Sequence, residues 1–289
     1  MELFHAVWQG APRWFRRTAN RWALLPGSFS LSALLATPDP LAALAAAGAE
    51  PHSGAPQKLL GPVEDQEIWA CGVTYFNSRR ARMTESTQSG DCYDRVYSAS
   101  RPQIFPKARG RNVIGSGAPL LLRKDSDWIV PEAELVLVLS SSGSIIGATL
   151  GNDLSCRDIE GANPLYQPQA KIWRSSCTLG PCIELTRDIA SLAAREIRVE
   201  ITRGGGTVFE GQSSTRQLTR PLPELAATLF SYREFPDGAF LFTGTGIVPP
   251  DDFRLKPTDV VRMSLEGVGE LENPVTDAAP GFEIPRRVG

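Results

Sequence analysis

The apolar positions of this chain follow two rhythms. From residue 67 onward, short runs rich in β-branched residues and leucine recur, most of them closed by turn residues: "EIWACGVTYF", "PLLLR", and "ELVLVLS" followed by "SSGS" and "IIGATLGND". Runs of this length and composition predict strands. The stretch "REIRVEITRGGGTVFEGQ" sets a glycine-rich turn between two alternating runs and predicts a hairpin. Further strands are expected at "MELFHAVW", "AFLFTGTGIV" and "DVVRMSLEGVGEL". The second rhythm, apolar residues three and four apart, runs through "LPELAATLFSYRE" and predicts a helix. A shorter helix is expected at "DPLAALAAAG", which has aspartate and proline at its head and glycine after it. The expected class is α+β and strand-rich, with no internal repeat.

Between these regions "GAEPHSGAPQKLLGPVED" mixes Gly, Pro, Ser and charge and reads as a linker. It places a boundary near residue 62, with a small N-terminal domain over 1–62 and a larger domain over 63–289. The segment "CRDIEGANPLYQPQAKIW" reads as a long polar loop, ordered by its aromatic and apolar residues.

Composition narrows the function. A chain of 289 residues with 42% hydrophobic content can bury a sizeable core. With 30 basic against 32 acidic residues, the net charge of -2 gives no long-range attraction for nucleic acid or an anionic membrane, so neither is expected as a partner. The basic cluster "RWFRRTANR" is expected to be a solvated face. The following "WALLPGSFSLSALLA" has the outline of an export signal, but Pro26 and the neighbouring Ser and Gly interrupt it, so it reads as mature sequence. Five cysteines without CxxC spacing point to reduced thiols, a cytoplasmic location and a core-filling role.

The candidate chemistry begins at "PEAELVLVL". Side chains alternate along a strand, so Glu132 and Glu134 project to the same side. Burying either carboxylate alone would cost several kcal/mol, which implies a cation or basic partners. On spacing alone the pair also fits an exposed edge answered by Arg123, Lys124 or Arg157. The next strand ends in "GNDLSCRD" and supplies Asp153. Three carboxylates without histidine make a hard-oxygen site suited to Mg2+ or Mn2+.

Taken in order, "GVTYF", "PEAELVLVL", "GNDLSCRD", "TLGPCI", "TGTGIVP" and "VGELENPV" resemble the fumarylacetoacetate hydrolase superfamily from about Ile68 to Val275. Within it, "VYSASRPQIFPKA", "SDWIVPEAEL" and "NPLYQPQAKIW" are most similar to the 2-keto-3-deoxy-D-arabinonate (equally D-xylonate) dehydratases. The resemblance implies a mixed β-sheet roll with a small N-terminal domain, in a homodimer or homotetramer. It implies that Glu132, Glu134 and Asp153 hold Mg2+ or Mn2+ and that Lys171 reaches the substrate. It further implies that Thr245, Arg157 and Tyr75 contact a 2-oxo acid. The reaction it implies is enolate-forming dehydration of a 2-keto-3-deoxy sugar acid to 2,5-dioxopentanoate.

Two departures bear on the reaction. Where the superfamily's carbon–carbon hydrolases carry a histidine, this chain has Ser78, and its only histidines are His5 and His52. That argues against a hydrolytic dyad, a Ser-His-Asp triad and a histidine-ligated zinc. Where the sugar-acid dehydratases have an acidic residue, "RPQIFPKA" has Gln103, an amide that cannot accept a proton as a carboxylate does. The alternatives are another enolate-type reaction on a 2-oxo acid (decarboxylation, tautomerisation or hydrolysis), or a catalytically silent homologue.

Overall fold

The computed structural model describes residues 1–85 and 90–278. Its centre is the strand Ala133–Leu139, every residue of which is buried. Its odd positions, Ala133, Leu135, Leu137 and Leu139, join one apolar core, whereas Val136 and Val138 join a second. A strand covered on both faces reads as a continuous apolar run rather than an alternating one. Truncating Leu135 or Leu137 to alanine is expected to cost about 2–5 kcal/mol.

The strand belongs to an 11-stranded sheet. On one side it pairs antiparallel with Ile145–Asp153, which pairs with Cys177–Leu185. On the other it pairs with Ala239–Phe242, followed by Glu67–Gly72 and Gln103–Arg109. The first core lies between this sheet and a five-stranded sheet that includes Glu196–Arg203, Val260–Leu265 and Gly269–Asp277. The second core is covered by the helices Leu31–Leu35 and Pro40–Ala46 through Leu31, Leu34, Leu35 and Leu44. The fold is the expected α+β arrangement of mixed sheets.

Residues 1–62 supply five strands to the same large sheet. Glu2–Trp8 pairs with Cys177–Leu185, Leu3 standing opposite Ile183. The segment read as a linker contains two of these strands, Glu50–His52 and Lys58–Leu59. Near its end, Glu64 accepts the Leu31 and Ser32 amides at 2.8 and 3.1 Å, capping an N-terminal helix.

Three local expectations are corrected. The polar loop is a chain of short helices, Arg157–Ala162, Pro164–Tyr166 and Gln167–Lys171. Pro164 and Pro168 lie in the first turns of the latter two, where the missing amide costs no hydrogen bond. The strand at "AFLFTGTGIV" ends at Phe242, and the following residues form a loop. The basic cluster is not simply solvated. Arg17 pairs with Glu2 and stacks over Phe4 and Trp22. Arg16 donates to the Leu44, Ala45 and Ala47 carbonyls, where a helix C-terminus favours a cation.

Candidate active site

The antiparallel pairing of Ala133 with Asn152 and Glu134 with Gly151 brings the start of one strand against the end of the next. Asp153 N–H donates to the Glu132 carbonyl at 2.9 Å, so these two residues face each other across the ladder. Glu132, Glu134 and Asp153 are all buried and offer oxygens within 4.8 Å of one another. The exposed-edge reading of the glutamate pair is thereby excluded.

Three buried cations answer the carboxylates. Lys171 Nζ lies 2.8 Å from Glu132 Oε2, 3.0 Å from Asp153 Oδ2 and 2.6 Å from Ser155 Oγ. Arg157 Nη2 is 3.0 Å from Glu132 Oε1. Lys107 Nζ is 2.6 Å from Asp153 Oδ1, 3.1 Å from the Leu154 carbonyl, and also donates to the Lys171 carbonyl. Lys171 occupies the last turn of its helix, which directs its side chain back into the sheet terminus.

Glu134 differs from its neighbours. Its Oε2 accepts the Gly244 amide at 2.6 Å, and among the described residues no side-chain cation pairs with it. Burial, and then the charges of Asp153 and Glu132, hold its carboxyl well above the usual carboxylate range. Gly244 adopts φ +97°, and a Cβ there would lie 1.9 Å from Thr74 Oγ1, so only glycine can bring this amide to Glu134. A buried carboxylate short of a cation, beside two further hard-oxygen donors, fits Mg2+ or Mn2+.

A cavity opens onto Glu132 and Glu134. Gln103, Lys171 and Thr245 line it, as do Ser78 and Glu160. Gln103 lies directly over Gly72, where a Cβ would come within 2.2 Å of its Oε1. The Thr245 hydroxyl donates to the Ala133 carbonyl at 3.0 Å, which ties the "TGTG" loop to the strand of the glutamates. Arg157 and Tyr75 are not on the cavity wall. Arg157 stands behind Glu132, and Tyr75 is buried against Gly246, its hydroxyl without a hydrogen-bond partner. Burial, with the Glu134 charge, raises that phenol above its usual range. His5 and His52 lie in the N-terminal strands, His5 stacked on Trp14 and His52 against Trp8.

Sequence reasoning missed Lys107 and Glu160. Lys107 lies two residues from Phe105 on one strand, and both are buried. That alternation was the available signal for a buried lysine. Glu160 is three residues from Arg157, the spacing of one helix face.

Residues 72–276 match the family described as fumarylacetoacetate (FAA) hydrolase C-terminal. The chain is 41% identical over 215 residues to the probable 2-keto-3-deoxyxylonate dehydratase of Haloferax volcanii, spanning 74% of each protein. It is 37% identical over 221 residues to 2-dehydro-3-deoxy-D-arabinonate dehydratase of Saccharolobus solfataricus, spanning 75% of this chain and 74% of that protein. It superposes with a TM-score of 0.85 and 30% identity on 2-keto-3-deoxy-D-arabinonate dehydratase complexed with magnesium and 2,5-dioxopentanoate. That match covers 97% of this chain and 100% of the other.

Proposed function

The chain belongs to the fumarylacetoacetate hydrolase C-terminal family, and from that premise we propose that it is a Mg2+-dependent hydro-lyase of 2-keto-3-deoxy sugar acids. The proposed reaction converts 2-keto-3-deoxy-D-arabinonate or D-xylonate into 2,5-dioxopentanoate. The observation that carries the reading is the buried triad Glu132, Glu134 and Asp153, whose two glutamates line a cavity walled also by Lys171 and Gln103. The resemblance to the two dehydratases supports the substrate class.

In this reading Glu132, Glu134 and Asp153 hold the divalent ion. When bound, the ion supplies Lewis-acid stabilisation of negative charge developing on a 2-oxo acid. Lys171, an ammonium oriented by Glu132, Asp153 and Ser155, supplies the proton that lets the C4 hydroxyl leave as water. Gln103, whose amide both donates and accepts, orients a substrate hydroxyl and does not take a proton. Thr245 shares the cavity wall with Lys171 and is assigned to the substrate carboxylate end. Arg157 acts on the substrate through Glu132, and Tyr75 through the wall beside Glu134.

Residues 63–289 carry the chemistry in this proposal, and 1–62 are the smaller unit, whose strands extend the large sheet. Among the described residues no helix is long and apolar enough to cross a membrane. The five cysteines are free, which supports a reducing, cytoplasmic setting. A homodimer or homotetramer completes the proposal.

The same carboxylates would also serve a decarboxylation or tautomerisation of another 2-oxo acid, and Gln103 favours keeping that second reading. Both reactions are to be measured on the Mg2+-loaded protein, with 2-keto-3-deoxy-D-xylonate and oxaloacetate as substrates. A kcat/KM about a hundredfold higher on the sugar acid supports the dehydratase, and the reverse order supports the alternative.

A further inference from the structure

The cavity wall carries one carboxylate more than the triad uses. Glu160 is only 5% exposed and lines the same cavity as Lys171 and Gln103. It lies outside the group whose oxygens gather within 4.8 Å of one another.

Its helix, Arg157–Ala162, is pinned at its start. The Arg157 amide donates to the Trp128 carbonyl at 2.8 Å, and the Arg157 side chain holds Glu132. The Asp158 carboxylate accepts from Ser126 Oγ at 2.6 Å and from the Asp127 amide at 2.8 Å. Glu160 is therefore presented from a helix fixed to the segment just before the triad's first glutamate and, through Arg157, to Glu132 itself, which is how a reacting group is kept in place.

The other polar groups on this wall do not offer a proton-accepting lone pair of suitable basicity. Ser78 and Gln103 are neutral, and Lys171 directs its ammonium at three acceptors. Cys71 is buried, and burial raises its thiol well above the ordinary range. Glu132 and Glu134 belong to the metal triad.

We propose that Glu160 is a catalytic residue, the general base that removes the C3 proton of the bound 2-oxo acid. The proposal rests on the enolate chemistry assigned above. The Glu160 carboxylate takes the C3 proton, and the electron pair of that C–H bond forms the C2–C3 double bond as charge moves onto the C2 oxygen. When the C2 carbonyl reforms, the pair becomes a C3–C4 double bond, the C4–O bond breaks, and Lys171 protonates the departing hydroxide to water. Return of the Glu160 proton to Lys171 resets the site, so the net loss is one water. Tautomerisation of the resulting enone, with C5 losing a proton and C3 regaining one, gives a C4–C5 enol, and the dioxo acid forms as the enol hydroxyl loses its proton and C4 gains one.

The test uses the full, Mg2+-loaded chain as wild type, Glu160→Gln and Glu160→Asp. It follows deuterium exchange at C3 of 2-oxobutanoate in D2O alongside dehydration of 2-keto-3-deoxy-D-xylonate. In Glu160→Gln, both rates are expected to fall by roughly a hundredfold or more. KM and Mn2+ affinity should stay within about threefold, and the acid limb of the kcat profile should flatten. Glu160→Asp is expected to recover part of the rate. Exchange in Glu160→Gln within about threefold of wild type overturns the proposal. Loss of Mn2+ affinity or of thermal stability in step with the rate, without recovery in Glu160→Asp, also overturns it in favour of a structural role. Wild-type exchange without dehydration defeats the substrate assignment alone and leaves Glu160 tested by exchange. Wild type that does neither overturns both.

Discussion

Lys107 Nζ lies 2.6 Å from Asp153 Oδ1 while donating to the Lys171 carbonyl, so one fully buried lysine joins a triad carboxylate to the helix of Lys171. Removing one partner of a buried ion pair leaves the other charge uncompensated. Lys107→Met is expected to lower stability by about 3–5 kcal/mol, read from urea unfolding. A loss below about 1 kcal/mol would mean that water or Lys171 replaces it fully.

Lys171 touches two of the three triad carboxylates, Glu132 and Asp153. An ammonium there competes electrostatically with a divalent ion for the same oxygens. Lys171→Met should bind Mn2+ about tenfold more tightly than wild type, measured by titration of the free-ion resonance signal, while dehydration is lost. Weaker binding in the variant would show that Lys171 supports the metal rather than opposing it.

Gly72 lets Gln103 lie across the cavity, since a Cβ would fall 2.2 Å from Gln103 Oε1. In Gly72→Ala the amide end must swing away, a motion that costs under about 1 kcal/mol because the side chain is flexible. The KM for the sugar acid is expected to rise about tenfold in Gly72→Ala and similarly in Gln103→Ala. The double variant should show little further change, because both substitutions act on one interaction.

The buried thiols give a pH prediction. Burial pushes Cys156 up to about 11 and Cys177 and Cys182 up to about 12, from an ordinary value near 9. Between those values the folded state holds more protons than the unfolded chain. Their contribution to stability is full below about pH 9 and is lost as pH rises toward about 12. Urea midpoints should therefore fall between pH 8 and pH 10.5, and the decline should shrink in Cys177→Ala. At pH 8 only the partly exposed Cys92 should react rapidly with a thiol reagent, against all five cysteines after unfolding.

What was legible beforehand follows from where the information lies. The strands around the triad announced themselves through local apolar runs, and their ends carried Glu132, Glu134 and Asp153. The antiparallel register that joins Glu132 to Asp153 needs only a short connection, so local pattern and site coincide. The pairing of Leu3 with Ile183 spans most of the chain and leaves no local mark, so nothing announced that residues 1–62 extend the large sheet. Pro164 and Pro168 read as breakers because their amides are missing, yet each opens a short helix. The alternation of Lys107 with Phe105 is a weak signal, because a lysine in a strand ordinarily faces water, and the contact with Asp153 is what holds it buried.

The central claim is Mg2+-dependent dehydration at the carboxylate triad. It is tested most directly by coupling any 2,5-dioxopentanoate formed from 2-keto-3-deoxy-D-xylonate to its dehydrogenase, with Glu134→Gln as the control. The Mg2+-loaded wild type is expected to turn over, and turnover is expected to disappear on chelation and in Glu134→Gln. Absence of product from wild type with the metal bound, or equal turnover by Glu134→Gln, would contradict it.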